Sequence, residues 1–169
     1  RVLAQRCNVA DADDVERLAA KAMSRFPRVH LLFNNAGVIA AGPVWKSTPH
    51  DWQWVFGVNV MGVANGIRSF VPGMLAHGET AWVVNTASVA GLVCPPELAV
   101  YAASKHALRA LANGLRGEEE AHGVRVSTVY PGPTDTPMFT GDVDRSDLIR
   151  PSSVAAAILT AITASEDVQ

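Results

Sequence analysis

A phenol and an ammonium four residues apart, Tyr101 and Lys105, share one face of any helix that holds them. The positive charge of Lys105 favours the phenolate form of Tyr101. A free phenol titrates at about 10, so such help lets it trade protons nearer neutrality. Ser88 stands thirteen positions earlier with a hydroxyl, and an Asn34-Asn35-Ala36-Gly37 run precedes it. The set suits moving a proton while a hydride moves elsewhere. Taken alone, Tyr-x-x-x-Lys also describes a surface tyrosine one turn before a solvated lysine. The ordered company of Ser88 and the asparagine run argues for chemistry.

Those side chains need a scaffold that brings distant stretches together, and the chain alternates strand-like runs with helical periodicity. Residues 2–9 read as a short strand. Asp11 offers a helix N-cap before an apolar stripe of Val15, Leu18, Ala19 and Ala22. Residues 29–33 form a continuous apolar run, the pattern of a strand buried on both faces. Thr48-Pro49 with Asp51 opens the next helix, whose apolar positions continue through Val55, Val63, Ile67 and Met74. Residues 81–84 are a strand that runs into Asn85 and Ser88. A helix over 98–120 carries Tyr101 and Lys105, and 124–129 is another strand, stopping at Pro131-Gly132. Ser152 or Ser153 is expected to cap an alanine-rich last helix. This alternation predicts an α/β fold over 1–169 as one domain: a doubly wound parallel sheet with helices on both faces. The chemistry-bearing residues then fall at carboxyl ends of strands, where open parallel sheets bind ligands.

A chain of 169 residues with 49% hydrophobic content and 18% charge suits a globular domain. A net charge of −2 offers nothing to nucleic acid or an anionic membrane, and no apolar run is long enough to span a bilayer. Cys7 and Cys94 are far apart and read as reduced thiols of a cytoplasmic protein. The five histidines are scattered, so no metal site is expected.

The stretches Cys7-Asn8-Val9, Asn34-Asn35-Ala36-Gly37, Val58-Asn59-Val60, Asn85-Thr86-Ala87-Ser88, Tyr101 with Lys105, and Pro131-Gly132 with Thr136 occur in an order that resembles the Rossmann-fold short-chain dehydrogenase/reductase family. The resemblance implies an oxidoreductase that exchanges a hydride between NAD or NADP and a secondary alcohol or its carbonyl. It makes Tyr101 the acid or base, and Lys105 a donor to the nicotinamide ribose as well as the charge beside the phenol. Ser88 would hold the substrate oxygen, and Asn59 would bind a water linking the lysine to solvent. Asn34, Ala36 and Gly37 would line the cofactor cleft, Asn8 and Val9 would meet adenine, and Pro131, Gly132, Thr134 and Thr136 would meet the nicotinamide amide. Cys94 would border the substrate. Residues 133–150, with Met138 and Phe139 amid Asp142, Asp144 and Asp147, would form a lid. The helix bearing Tyr101, slim at Ala102, Ala103, Ala107, Ala110 and Ala112, would pack against a second subunit in a homodimer or homotetramer.

The family's glycine-rich phosphate turn is not found before Val38, so by the resemblance Arg1 stands at the third strand. With a sheet order of 3-2-1-4-5-6, the strand over 2–9 would lack its neighbours. Each buried, unpaired backbone group would cost about 1–3 kcal/mol. The expectation is therefore a piece of a longer protein, or an early strand docked on a new neighbour. A dinucleotide-sensing protein on this fold, or a cofactor-deficient fragment, is the competing reading; retention of both Tyr101 and Lys105 favours the enzyme.

Overall fold

The computed structural model describes residues 2–138 and 144–164. Three parallel strands form one sheet in the order β1 (Leu31–Asn34), β2 (Ala81–Thr86), β3 (Val124–Val129). Leu32 is in register with Val83, and Val83 with Val126. This row faces the helices. Val71 and Met74 of α3 (Gly62–His77) and Ala112 and Leu115 of α4 (Ala99–Glu119) close over Ala81, Val83, Val124 and Val126 as the main core. α1 (Ala12–Arg25) packs against α3 through Val15, Ala19 and Phe70. α5 (Pro151–Thr163) ends the described chain.

The local sequence accounts for most boundaries. The Asp11 carboxylate accepts from the N–H groups of Asp13 and Asp14 and so caps α1. Thr48 and Asp51 form a reciprocal capping box at α2 (Pro49–Phe56), with Pro49 in the first turn. Gly78 takes a left-handed conformation with φ of 68° and ends α3.

Four expectations need correcting. Residues 2–9 are not a strand. A strand exists only through a ladder partner, and this segment is instead tied to helices: the Asn65 amide donates to the Val9 carbonyl at 2.9 Å, and the Asn8 N–H donates to Asp14 at 2.9 Å. Nor is β1 buried on both faces. Leu31 and Phe33 are 44% and 45% exposed, because β1 is an edge strand and these two point away from α3 and α4. The long helix after Thr48 is interrupted by a π-helical turn, Gly57–Met61, between α2 and α3. Finally, Ser152 and Ser153 lie inside α5; Pro151 supplies the first turn and no side chain caps it.

Candidate active site

The π turn is where the site begins. One extra residue per turn rotates Asn59 inward, and its side chain is fully buried. The Val38 N–H can only donate, so the Asn59 Oδ1 must face it, at 2.8 Å. The amide nitrogen then donates to the Val38 carbonyl and to the Ser104 hydroxyl, both at 2.9 Å. This fixes the loop after β1 against α4.

Tyr101, Ser104 and Lys105 occupy adjacent positions on the buried face of α4, with Tyr101 8% and Lys105 3% exposed. The Lys105 ammonium lies 5.6 Å from the centroid of the Tyr101 ring and donates to the Thr86 carbonyl at 2.7 Å. Ser88 sits just past β2, at the start of a short turn, Val89–Gly91, with its hydroxyl accepting from the Ala90 N–H at 3.1 Å and near enough to the Tyr101 phenol to favour its charged form. Gly91 is what lets that turn approach: a Cβ there would meet the Lys105 carbonyl oxygen at 2.9 Å. Gly37 lies on the other side, where a Cβ would fit without a clash but would fill space. A Cβ on it would lie 3.5 Å from both the Lys105 Nζ and the Asn59 Oδ1, and 4.0 Å from the Met138 methyl. The bare backbone of Gly37 therefore leaves a cradle beside the lysine.

The electrostatics depart from expectation. Burial pushes the Tyr101 phenol up, opposed by the nearby Ser88 hydroxyl, and Lys105 does not reverse this. Burial also brings Lys105 down to about 8, although the Thr86 carbonyl favours its charged form. In this chain by itself, desolvation is the dominant influence on both groups.

What this geometry can do is hold a buried phenol, a hydroxyl and an amine around one point at the carboxyl edge of a parallel sheet. The short chain dehydrogenase family model matches residues 1–146. The chain belongs to the short-chain dehydrogenase family. An uncharacterized NAD-dependent oxidoreductase of Mycobacterium tuberculosis is 39% identical over 139 residues, covering 82% of this chain and 50% of that protein. The 1-deoxy-11-beta-hydroxypentalenate dehydrogenase of Streptomyces arenae is 40% identical over 147 residues, covering 83% and 52%. The chain thus spans about half the length of these curated relatives. Among solved structures, a short-chain dehydrogenase/reductase of Burkholderia phymatum in complex with NAD superposes with a TM-score of 0.79 at 38% identity, covering 98% of this chain and 62% of that one. One from Burkholderia cenocepacia in complex with NADP has a TM-score of 0.87 at 30% identity, covering 99% and 68%.

Within the chain, the remaining expected site residues divide. Asn34, Ala36 and Val9 line one cavity of about 180 Å³ between β1, α1 and α3. The Asn34 side chain donates to Asn85 at 2.9 Å and lies against Gly66, where a Cβ would be 2.5 Å from its Oδ1. Asn34 thus shapes the cleft by bracing its floor. Asn8 is exposed, with its side-chain oxygen accepting from the Ala10 N–H. The Pro131 carbonyl accepts from the Val89 N–H at 3.0 Å, which ties the end of β3 to the turn after Ser88. Thr134 donates to the Gly132 carbonyl at 2.9 Å, and Thr136 to the Thr134 carbonyl at 3.5 Å. Cys94 is exposed, with only a long contact to its neighbour Pro95.

The two ends of the expected lid are zipped together: Asp135 donates to Ile149, and Ile149 to Pro133, each at 2.9 Å. Phe139 and Asp142 lie outside the described residues. Of the small residues expected to face a second subunit, Ala102 and Ala112 are buried within this chain, while Ala110 is exposed.

Sequence reasoning missed Ser104, Asn65, Gly62, Gly66 and Gly91, none of which carries chemistry of its own. Gly62 and Gly66 are spaced one turn apart on α3 and admit Val9 and Asn34 respectively. That i, i+4 pair of glycines was the available signal. The histidines are also less scattered than their spacing suggests: His30, His77 and Glu79 lie together near the amino end of β1. The Glu79 N–H donates to the His77 Nδ1, so the Nε2 carries the proton and donates to the Val29 carbonyl at 3.0 Å. Both ring nitrogens are thereby engaged with backbone, and Arg28 holds Glu79. The cluster ties β1 to the α3–β2 turn.

Proposed function

We propose that this chain carries the proton-handling half of an oxidoreductase that moves a hydride between NAD or NADP and a secondary alcohol or ketone. The observation supporting this is the convergence of Ser88, Tyr101 and Lys105, drawn from two separate elements, with Tyr101 and Lys105 buried and Ser88 half-buried beside them. The cradle at Gly37 beside the Lys105 ammonium fits a sugar hydroxyl pair, and the names of relatives and neighbours that bind NAD or NADP agree. Lys105, Gly37, Ala36 and Val9 would hold the dinucleotide, which gives or accepts the hydride.

The protein's own part is the proton. In ketone reduction the Tyr101 O–H donates its proton to the carbonyl oxygen as that oxygen gains charge, leaving the phenolate; in alcohol oxidation the phenolate takes the proton back. Ser88 hydrogen-bonds the same oxygen and stabilises the charge building on it. Lys105 stabilises the phenolate, and an oxidised nicotinamide would add a second positive charge against the desolvation that otherwise raises the phenol. Asn59, held by Val38 and Ser104, joins the helix that bears the lysine to the loop after β1. Exposed Trp54 and Met61 give the α2–α3 rod an apolar side, which supports association into a homodimer or homotetramer.

The test is a titration of the four-tryptophan fluorescence with NADH and NADPH, followed by turnover of simple secondary alcohols. Saturable quenching by one of the two cofactors and measurable oxidation support the reading. Absence of binding by both would overturn it for this chain.

A further inference from the structure

We infer that Ser104 is a positioning residue for the Tyr101 proton exchange, acting through an oriented hydrogen-bond chain from Val38 through Asn59 and Ser104 to the Tyr101 carbonyl. The inference rests on Tyr101 being the acid or base proposed above. A buried serine in a helix commonly bonds back to the carbonyl three or four residues earlier, and Ser104 does so, donating to the Tyr101 carbonyl at 2.7 Å. Its other face is what singles it out. The hydroxyl oxygen accepts from the Asn59 amide at 2.9 Å, across 45 residues of sequence.

Every direction in the chain is forced. The Val38 N–H sets the Asn59 amide, both amide hydrogens are then taken by the Val38 carbonyl and Ser104, and the Ser104 hydrogen is left for Tyr101. Both Ser104 and Asn59 have 0% exposure, so no water can replace a lost partner without a cavity being opened. The loop held at one end contains Gly37, the cradle beside Lys105; the turn held at the other carries the phenol. Ile39 of that loop also packs on Tyr101 and Ala102. Removing the Ser104 hydroxyl uncouples these two walls and leaves an Asn59 donor buried without an acceptor. The phenol then loses its fixed position beside the Ser88 hydroxyl.

The chain holds two tyrosines, so a Tyr130→Phe background leaves Tyr101 as the one titrating phenol. In that background, phenolate absorbance is followed against pH for Ser104 and for Ser104→Ala, with thermal melts on the same samples. A positioning role moves the midpoint upward by about half a pH unit or more, and lowers kcat roughly ten- to a hundredfold with KM little changed. Ser104→Thr, which keeps the hydroxyl, returns both toward the parent. A drop in melting temperature with the phenolate midpoint and kcat unmoved would show Ser104 to be structural only and overturn the inference. If Ser104→Ala does not fold, Asn59→Ala removes the other end of the same bridge and is read identically; an unmoved midpoint there overturns it too. Tyr101→Phe run in parallel separates the two ideas, since turnover surviving that change refutes the acid–base reading itself.

Discussion

Replacing Gly91 with alanine places a methyl carbon 2.9 Å from the Lys105 carbonyl oxygen, 3.1 Å from its carbonyl carbon and 3.4 Å from its Cβ. Two of those three atoms are backbone in the middle of α4, so no rotamer change relieves the clash. The turn after Ser88 and the helix bearing Tyr101 and Lys105 must separate by about half an ångström, an overpacking that costs roughly 1–3 kcal/mol. For a chain of this length, each kcal/mol lowers the melting temperature by about 2–4 °C. The expected fall is therefore about 2–12 °C, read by circular dichroism. The same displacement pulls Ser88 from the phenol, so turnover should fall by more than the stability loss explains. Gly114→Ala is the matched control: it lies on the exposed side of the same helix, with only the Glu118 carboxylate at 4.0 Å. It should stabilise by about 0.5–1 kcal/mol through helix propensity alone. A Gly91→Ala protein as stable as the parent, while Gly114→Ala behaves as expected, would refute the packing of the Ser88 turn on α4.

Other outcomes follow from the same geometry. Lys105 titrates lower folded than unfolded, so folding expels its proton and its contribution to stability rises with pH from about 8 upward; above about 10 the raised Tyr101 phenol works in the opposite direction. Relative to Lys105→Met, whose stability lacks this dependence, the parent should gain up to about 2 kcal/mol between pH 7.5 and 9.5 in urea unfolding; a constant difference would contradict the burial of a charged lysine. Glu97 holds φ of 64° while its carbonyl accepts from the Gly42 N–H at 2.7 Å. Glu97→Gly should relieve strain and stabilise by up to about 1 kcal/mol, the left-handed penalty net of the added freedom of glycine when unfolded. Asn65→Ala removes the donor that holds the Val9 carbonyl and should cost about 1–3 kcal/mol, with hydrogen exchange and proteolysis accelerating first in residues 2–10.

Much of this was legible before any coordinates, and the reasons differ by element. β3 was read to the residue because Val124, Val126 and Val129 sit between a glycine and a proline that stop a strand. The starts of α1 and α2 were readable because caps are local chemistry. Residues 2–9 misled because strand propensity says nothing about whether a partner strand exists. The π turn was hidden because the weak helix formers of Gly57–Met61, a glycine, an asparagine and two valines, signal irregularity without saying whether it is a kink or a π turn. Ser88, Tyr101 and Lys105 could be placed in one site from spacing and resemblance. The direction of the Tyr101 shift could not, because it depends on how completely α4 and the Val89–Gly91 turn exclude water. Ser104 and Gly91 escaped notice for a related reason: each matters through what it touches across the fold.

The account turns on the proton of one phenol, and Tyr101→Phe tests it with a single-atom deletion. Turnover and NAD(P)H affinity are measured on the same preparation, with the melting temperature as a check on folding. Turnover lost by a factor of about a thousand or more, with cofactor affinity within a few-fold of the parent, is the predicted result. Turnover retained at the parental rate would contradict it.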